Sequence, residues 1–225
     1  NQVDDDSLLV SRNNNFRSSV FFNRSRNRCG LSYTFRQTAS NNLLSFGIEE
    51  RSVRENSLDL RHQVFGFWLI KAQLALFDKE NFSANFSGRN YQIDQLRNTY
   101  SLSYQAGAKL VLTGRYSWDQ QISAGDNENN LLAQTTGFDL NYNLGSKLNA
   151  QLSLSYINND FEGTANSPVG FEMLKELQPG NNGTWSVVLQ RSLMKNILIS
   201  VNYNGRVSGD NRPVHTGNIE VKAFF

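Results

Sequence analysis

The stretch of sequence that decides the fold is Gly217-Asn218-Ile219-Glu220-Val221-Lys222-Ala223-Phe224-Phe225. In an extended strand, successive side chains point to opposite faces. One face of this stretch is apolar and consists of Ile219, Val221, Ala223 and Phe225. The other face is polar and carries Asn218, Glu220 and Lys222. A strand with this alternation separates an apolar medium from a polar one.

The same alternation recurs along nearly the whole chain and predicts an all-β fold. Polar, Asn-rich connectors separate the alternating runs, and only three prolines occur in the chain. We predict twelve antiparallel strands, at residues 15–23, 29–38, 43–51, 55–64, 67–78, 91–105, 109–122, 131–144, 147–160, 183–193, 197–208 and 215–225.

Connectors alternate between short and long in the second half of the chain. The tight ones are Ala106–Ala108, Gly145–Lys147 and Met194–Asn196. The longer ones are Lys79–Asn90, Ser123–Asn130, Phe161–Asn182 and Gly209–Val214. Outer-membrane barrels have this asymmetry, with short periplasmic turns and long external loops. The even strand number places both ends of the chain on the periplasmic side.

Strand length distinguishes a membrane barrel from a soluble sheet. The predicted runs span about 10 to 14 residues. Strands of soluble proteins usually have ~5–6 residues, and a tilted strand needs ~9–11 residues to cross a bilayer. The mean hydropathy of −0.49 fits a barrel, whose strands are only half apolar. We therefore predict an antiparallel up-and-down transmembrane β-barrel at residues 15–225, preceded by a lead-in at residues 1–14. A soluble β-sandwich, stable without detergent, is the structural alternative.

Charged and aromatic side chains divide between the two faces of the predicted strands. On the polar face, charges facing a lumen can pair across strands, whereas an Arg or Lys facing lipid would cost ~2–4 kcal/mol. The candidate lumen-lining residues are Arg36, Glu49, Lys71, Arg115, Asp119, Asp139, Glu220 and Lys222. Aromatic residues near the strand ends predict an interfacial girdle, or else cross-strand packing in a soluble core. They are Trp68, Trp118, Trp185, Tyr100, Tyr116, Tyr142, Tyr156 and Tyr203.

The longest predicted external loop contains an amphipathic helix. Its apolar residues at helical spacing are Phe171, Met173, Leu174 and Leu177. Gln178-Pro179-Gly180 ends the helix. Three interpretations remain open: the helix closes the barrel mouth, binds a partner, or only makes a hydrophobic contact within the loop.

Several motifs follow one another in the second half of the chain. They are Gly170–Gly180 followed by Thr184-Trp185, Asn202–Arg206, Val214–Gly217 and Val221–Phe225, with Phe67–Leu69 and Arg89–Tyr91 upstream. In this order they resemble the C-terminal region of large, poorly characterised outer-membrane proteins of Bacteroidota. The C-terminal strand, ending on Phe225, also looks like the signal that the barrel-insertion machinery reads. The resemblance covers residues 43–225 and implies a barrel at the end of a longer protein. It carries over no catalytic residues.

Composition and motifs argue against several function classes. A net charge of +2 gives no reason to expect nucleic-acid binding. Cys29 is the only cysteine, His62 and His215 lie far apart, and no nucleophile motif is present, so we expect neither an enzyme nor a cofactor. We expect an outer-membrane anchor or scaffold that contacts lipid, lipopolysaccharide and other envelope proteins. The alternative is a narrow porin-like channel for small polar or charged solutes.

Overall fold

The computed structural model describes residues 11–23, 28–44, 47–124, 129–145, 147–194, 196–209 and 211–223. These residues form a single antiparallel sheet in which each strand pairs with the next along the chain. The strands are β1 (Ser11–Phe22), β2 (Cys29–Leu44), β3 (Gly47–Val64), β4 (Trp68–Ser83), β5 (Tyr91–Ala106), β6 (Leu110–Ala124), β7 (Asn129–Asn143), β8 (Leu148–Glu162), β9 (Gly180–Met194), β10 (Ile197–Ser208) and β11 (Val214–Ala223). The helix α1 (Pro168–Leu174) lies between β8 and β9, and a 3-10 turn at Ser87–Arg89 precedes β5.

The all-β, antiparallel up-and-down prediction is confirmed, but the described part of the chain has eleven strands where twelve were predicted. The predicted strands at 43–51 and 55–64 are replaced by one strand, β3, and β2 continues to Leu44. β1 begins at Ser11, inside the predicted lead-in. Phe225, the predicted insertion signal, lies outside the described residues.

Connectors differ in length on the two sides of the sheet. On the side that we call the short-turn side, strands are joined by residues 65–67, 107–109, 144–147 and 195–196. On the opposite side, the loop side, they are joined by residues 84–90, 163–179 and 209–213. Two connectors depart from this pattern: residues 45–46 separate β2 from β3 on the loop side, and the longer connector of residues 23–28 separates β1 from β2 on the short-turn side. Because eleven is odd, the first described strand starts on the loop side and the last one finishes on the short-turn side. The predicted placement of the two chain ends concerns residues outside the described ones.

Neighbouring strands are progressively staggered. Following paired residues from Gly30 on β2 leads, strand by strand, to Arg206 on β10. Gly30 is the second residue of β2, on the short-turn side, whereas Arg206 is only two residues from the loop-side end of β10. A shift of this kind is the shear that lets a sheet roll up with tilted strands.

The two faces of the sheet reverse the usual arrangement of a soluble protein. One face, the polar face, carries Gln95, Arg97 and Ser103 on β5, and the other, the apolar face, carries Tyr100 and Leu102. Among the described residues, twelve polar side chains are buried, all on the polar face, against five hydrophobic ones. Thirty-one large hydrophobic side chains are exposed. The face that water would normally contact is therefore the enclosed one.

No helix among the described residues has the length and apolar character needed to cross a membrane.

Candidate functional site

All eight charged residues predicted to line a lumen lie on the polar face. They are Arg36, Glu49, Lys71, Arg115, Asp119, Asp139, Glu220 and Lys222. The face alternation that β-strands impose is sufficient to place them there. The structure brings several of them into ion pairs with residues of neighbouring strands.

The most enclosed charge is Asp119 on β6, which is 6% exposed. Arg97 on β5 binds its Oδ2 atom through Nε and Nη2, both at 3.0 Å. Gln95 Nε2 donates to the same carboxylate at 2.7 Å, and Lys175 Nζ lies 3.8 Å from it. Charge-assisted hydrogen bonds of this kind offset the cost of removing the carboxylate from water.

Other ion pairs continue across the polar face. Arg115 binds Asp139 through two nitrogens, at 2.7 and 3.0 Å, and Ser153 donates to Asp139 at 2.7 Å. Arg36 lies 3.2 Å from Glu55 on β3. Opposite charges therefore neutralise each other at these positions.

The segment between β8 and β9, residues 163–179, folds back onto the polar face, and we call it the docked segment. Its helix α1 begins after Ser167, whose Oγ accepts a hydrogen bond from Gly170 N at 3.0 Å, and Pro168 occupies the first turn. The helix ends because Lys175 and Glu176 adopt left-handed conformations, with φ of 53° and 65°.

The helix is shorter than the sequence indicated. It ends at Leu174, so Leu177 lies beyond it instead of in its apolar stripe. Met173 and Leu174 are buried in a cluster with Ile93 and Leu131 of the polar face. Phe171, the first residue of the predicted apolar stripe, is 60% exposed and lies outside this cluster. The apolar contact therefore involves two of the four predicted residues.

Two carboxylates attach the docked segment to distant strands. Glu172 Oε1 lies 2.9 Å from Arg51 on β3 and 3.6 Å from Lys79 on β4. Glu176 Oε2 lies 3.6 Å from Arg206 on β10. In a flat sheet, β3 and β10 would be about 34 Å apart, because seven steps of ~4.8 Å separate them. Two glutamates four residues apart cannot bridge that distance, so the sheet is rolled around the docked segment with its polar face inside.

Three buried asparagines hold the backbone of the docked segment. Asn129 on β7 accepts a hydrogen bond from Thr164 N at 3.1 Å. Asn159 on β8 donates to Gln178 O at 3.3 Å. Asn182 on β9 donates to Gln178 O at 2.8 Å and accepts from Gln178 N at 3.2 Å. These side chains are 2–4% exposed, so the polar backbone of the docked segment is satisfied inside the roll.

Partial desolvation against the polar face lowers the pKa of Lys175, whose side chain is 54% exposed, since desolvation disfavours its ammonium form. The positive charge of Arg97 acts in the same direction, and the carboxylate of Asp119 opposes it. Lys175 is therefore a weaker base in the docked segment than in an unfolded chain.

Between the docked segment and the sheet there remains a cavity of about 310 Å³. Arg97, Arg115, Asp119, Gln121 and Lys175 contribute polar atoms to its wall. The buried Gln121 Oε1 lacks a hydrogen-bond partner among the described residues. A buried acceptor of this kind is where cavity water binds.

The short-turn half of the polar face carries buried small hydroxyl side chains beside larger ones such as Arg61, Lys71 and Asp139. Ser57, Ser103 and Ser200 are buried there without a helix over them. Ser103 hydrogen bonds Thr113 across β5 and β6 at 2.9 Å. Small side chains leave room inside the roll on this side.

All eight aromatic residues predicted to form a girdle lie on the apolar face. Trp68 and Tyr142 are near the short-turn side. The other six lie further from the short-turn side, at the positions where the apolar face becomes polar. They are Trp118, Trp185, Tyr100, Tyr116, Tyr156 and Tyr203. Tyr156 Oη donates to Asn181 at 2.9 Å and Tyr203 Oη lies 2.8 Å from His215 Nδ1. Their rings are apolar and their hydroxyls contact polar residues.

Sequence reasoning missed the partners that complete the interior. Arg51, Lys79, Arg97 and Arg206 all fall on the polar side of the alternation, which could have identified them. The asparagines Asn129, Asn159 and Asn182 had no such signal, since Asn is common in every connector. Across the described residues, no three His, Cys, Asp or Glu side chains are grouped as a metal site would require.

Comparisons with known proteins identify no family and only a distant structural similarity. No family model and no curated protein matches the sequence. Seven solved chains match the fold, and one is the translocator domain of the autotransporter NalP from Neisseria meningitidis. That match has a TM-score of 0.44 and 11% identity, and covers 96% of this chain and 82% of the other. A similarity this low does not define a family.

Proposed function

We propose that this chain is an integral outer-membrane β-barrel region that serves as a membrane anchor or scaffold. Its apolar face contacts lipid, and its interior is occluded by the docked segment and by paired charges. It docks through its loop side with other components of the cell envelope. The observation that carries this proposal is the inverted distribution of side chains, with twelve buried polar residues and thirty-one exposed large hydrophobic ones among the described residues.

The height of the apolar band supports a bilayer location. On β8 the outward residues from Leu148 to Tyr156 are apolar, and Asn158, Asp160 and Glu162 follow. Eight residues rise about 26 Å along the strand, or about 20 Å at a tilt of ~40°. Transmembrane barrels have apolar bands ~25 Å tall, bordered by aromatic residues. A soluble sandwich would need a second layer over this face, and no described element covers it.

Paired interior charges favour an anchor over an open channel. A conducting pore needs free space and mobile or single-sign charge along its wall. The ion pairs of Asp119, Asp139 and Glu172 consume both signs locally, and α1 fills the loop-side half. The cell-envelope partner itself is an inference from this occluded interior.

Tryptophan fluorescence in brominated lipids tests the membrane location. Trp68, Trp118 and Trp185 all lie on the apolar face, so refolding the chain into vesicles should quench each of them. Three variants that each retain one tryptophan separate the positions. A chain that stays folded without detergent, and whose tryptophans are not quenched, would contradict the proposal.

A narrow channel is the second candidate, and the cavity of about 310 Å³ beside the docked segment favours it. Single-channel recording separates the two functions. An occluded anchor inserts into the bilayer but conducts no current. A channel gives stable, discrete current steps, and their size changes when the charge at Arg115 is reversed by Arg115→Glu. The double variant Glu172→Gln/Glu176→Gln removes both carboxylate attachments and should increase conductance only where the docked segment is the obstruction. Glu80→Gln, on the outer face of β4, is the matched control.

A further inference from the structure

The cavity inside the roll lies between the docked segment and strands β5 to β8. Its volume of about 310 Å³ is at the lower end of the range for small-molecule sites. The strands form its walls, and Met173, Leu174, Lys175 and Leu177 of the docked segment cover it. A molecule in this cavity would therefore contact the sheet and the docked segment at the same time.

Two buried amide oxygens at this site have no hydrogen-bond partner. Gln121 on β6 lines the cavity and is 1% exposed, and its Oε1 atom is unpaired within the described part of the chain. Gln95 lies directly opposite on β5, is 3% exposed, and also has an unpaired Oε1. Across the described residues, Asp78 holds the only other buried side-chain atom without a partner. Buried acceptors are normally satisfied, so a bound molecule that carries a hydrogen-bond donor fits here.

Positive charge predominates in the polar wall of the cavity. Arg97 binds Asp119 through two nitrogens at 3.0 Å. Lys175 Nζ remains 3.8 Å from the same carboxylate, which is too far for a hydrogen bond. Arg115 binds Asp139 through two nitrogens, at 2.7 and 3.0 Å. Three positive charges therefore meet two negative ones, and the ammonium of Lys175 lacks a hydrogen-bonded carboxylate among the described residues.

This excess charge favours a singly charged anion. Partial desolvation lowers the pKa of Lys175, and the positive charge of Arg97 lowers it further. One negative charge beside Lys175 Nζ would offset the effect of Arg97 and complete the local charge balance. A dianion such as phosphate would instead leave the site with a net negative charge.

The rest of the cavity wall is apolar. Leu131 and Ala133 on β7, Ile157 on β8 and Leu177 of the docked segment contribute to it. A surface of this kind packs against hydrocarbon and excludes water from the polar contacts of a ligand. The site therefore combines a cationic corner, a buried amide acceptor and an apolar wall.

We propose that this cavity is a binding site for a small monocarboxylate that carries a hydroxyl group on a short hydrocarbon chain. The carboxylate contacts the ammonium of Lys175 and Nη1 of Arg115, which Asp139 does not use. The hydroxyl donates to Oε1 of Gln121. A hydroxyl also accepts hydrogen bonds, so it suits an amide side chain in either orientation. An anchor needs only an occluded interior, so ligand binding is a function beyond the anchor role.

Four matched probes test the site in the unmodified chain, refolded into vesicles. β-Hydroxybutyrate carries both groups, butyrate lacks the hydroxyl, and β-hydroxybutyramide lacks the negative charge. Inorganic phosphate tests for a general anion site, and empty vesicles are the control for binding to lipid. Saturation-transfer NMR measures the dissociation constant of each probe. We expect β-hydroxybutyrate to bind at least about tenfold more tightly than each of the other three.

Amide hydrogen exchange in the docked segment is a second readout, because the ligand joins this segment to the sheet. The amides of Phe171, Lys175 and Leu177 donate hydrogen bonds within the segment. β-Hydroxybutyrate at about ten times its dissociation constant should slow their exchange by about tenfold. Exchange at Val20 on β1, which does not line the cavity, should not change.

Two substitutions assign the contacts to individual groups. Lys175→Met should weaken the binding of β-hydroxybutyrate by at least about tenfold. Lys147→Met, on an exposed short turn, is the matched control. Gln121→Met should remove the preference for β-hydroxybutyrate over butyrate and retain the binding of both carboxylates. Hydrogen exchange in the docked segment establishes that each variant keeps it in place.

The absence of saturable β-hydroxybutyrate binding to the unmodified chain would overturn the proposal and leave the cavity to water. Equal binding of phosphate would show a general anion site, and equal binding of butyrate or the amide would show that one of the two polar contacts is not made. Each of these results overturns the ligand class. Undiminished binding to Lys175→Met would place the ligand elsewhere and overturn the site. The cavity is interior, so these outcomes are separate from the test of membrane location.

Discussion

The loop-side and short-turn halves of the rolled sheet are built in opposite ways. In the loop-side half the interior contains the hydrophobic cluster of Ile93, Leu131, Met173 and Leu174, and the outer face is polar. In the short-turn half the interior is lined by polar residues, both small ones such as Ser57 and larger ones such as Lys71, and the outer face is apolar. The same strands pass through both halves, so the difference lies entirely in the side chains.

With the proposed membrane location, this difference means that two solvents act on one sheet. Where the outer face meets water, the chain must bury apolar groups inside, and the docked segment supplies them. Where the outer face would contact lipid, the described interior has no comparable hydrophobic cluster and its residues are mostly polar. Each half responds differently to substitution, and the following experiments use that contrast.

The largest expected effect is in the interior of the loop-side half. Met173 is 1% exposed, so Met173→Ala should leave a cavity and destabilise the docked segment by about 2–5 kcal/mol. Limited proteolysis under native conditions measures the free energy of opening. Phe171→Ala removes a larger side chain from the same helix, but one 60% exposed, and should cost less than about 0.5 kcal/mol. Equal costs for the two substitutions would mean that Met173 and Phe171 do not differ in burial.

The outer face of the short-turn half should be the next most sensitive. Leu102→Arg places a charge within the apolar band of β5 and should lower the free energy of unfolding in vesicles by about 2–4 kcal/mol. Gln92→Arg lies on the same face of the same strand, ten residues towards the loop side, and should cost about 0–1 kcal/mol. The comparison fails if both substitutions have the same cost, since the outer face would then meet only one medium.

The boundary between the halves can be tested at Gly205 on β10. A Cβ there would collide with the ring of Trp185, which covers this glycine on the apolar face. Gly205→Ala should cost about 1–3 kcal/mol and alter the tryptophan emission. Gly217→Ala is the control, because its Cβ would meet only ordinary contacts, the nearest at 3.8 Å. Unchanged emission in Gly205→Ala would show that the ring does not cover this position.

The smallest effect is a pH dependence of the loop-side half. The pKa of Lys175 is lowered by burial, so between that pKa and about 10.5 the unfolded chain binds more protons than the folded one. Stability should therefore rise with pH across this window, and the cost of burying the ammonium should be fully present below it. The rate of acylation of Lys175 at alkaline pH, measured by mass spectrometry, should show an earlier onset in the folded chain than in denaturant. Superimposable profiles would contradict the shift, and Lys175→Met should flatten this part of the stability profile.

The sequence predicted the strands well where one face meets an apolar medium. The runs from residue 91 to residue 160 match β5 to β8 to within two residues at each end. It failed at β3, where two strands at 43–51 and 55–64 were predicted instead of the single strand Gly47–Val64. Between them Ser52, Val53 and Arg54 reverse the alternation, with the apolar residue on the polar face, so the two-residue period is broken there.

The interior was less predictable than the strands. Alternation alone placed the charged residues on the polar face, but their partners depend on register and curvature, as with Glu176 and Arg206. The early end of α1 depends on the left-handed conformation of Lys175 and Glu176, which are not the Gly or Asn that usually mark a helix end.

The scarcity of buried hydrophobic side chains has a calorimetric consequence. Heat-capacity changes on unfolding arise mainly from newly hydrated apolar area. Only five hydrophobic side chains of the described residues are buried, so unfolding within a lipid or detergent phase hydrates little new apolar surface. The curve of stability against temperature should therefore be shallow, and cold should weaken this chain far less than a water-soluble domain of equal length.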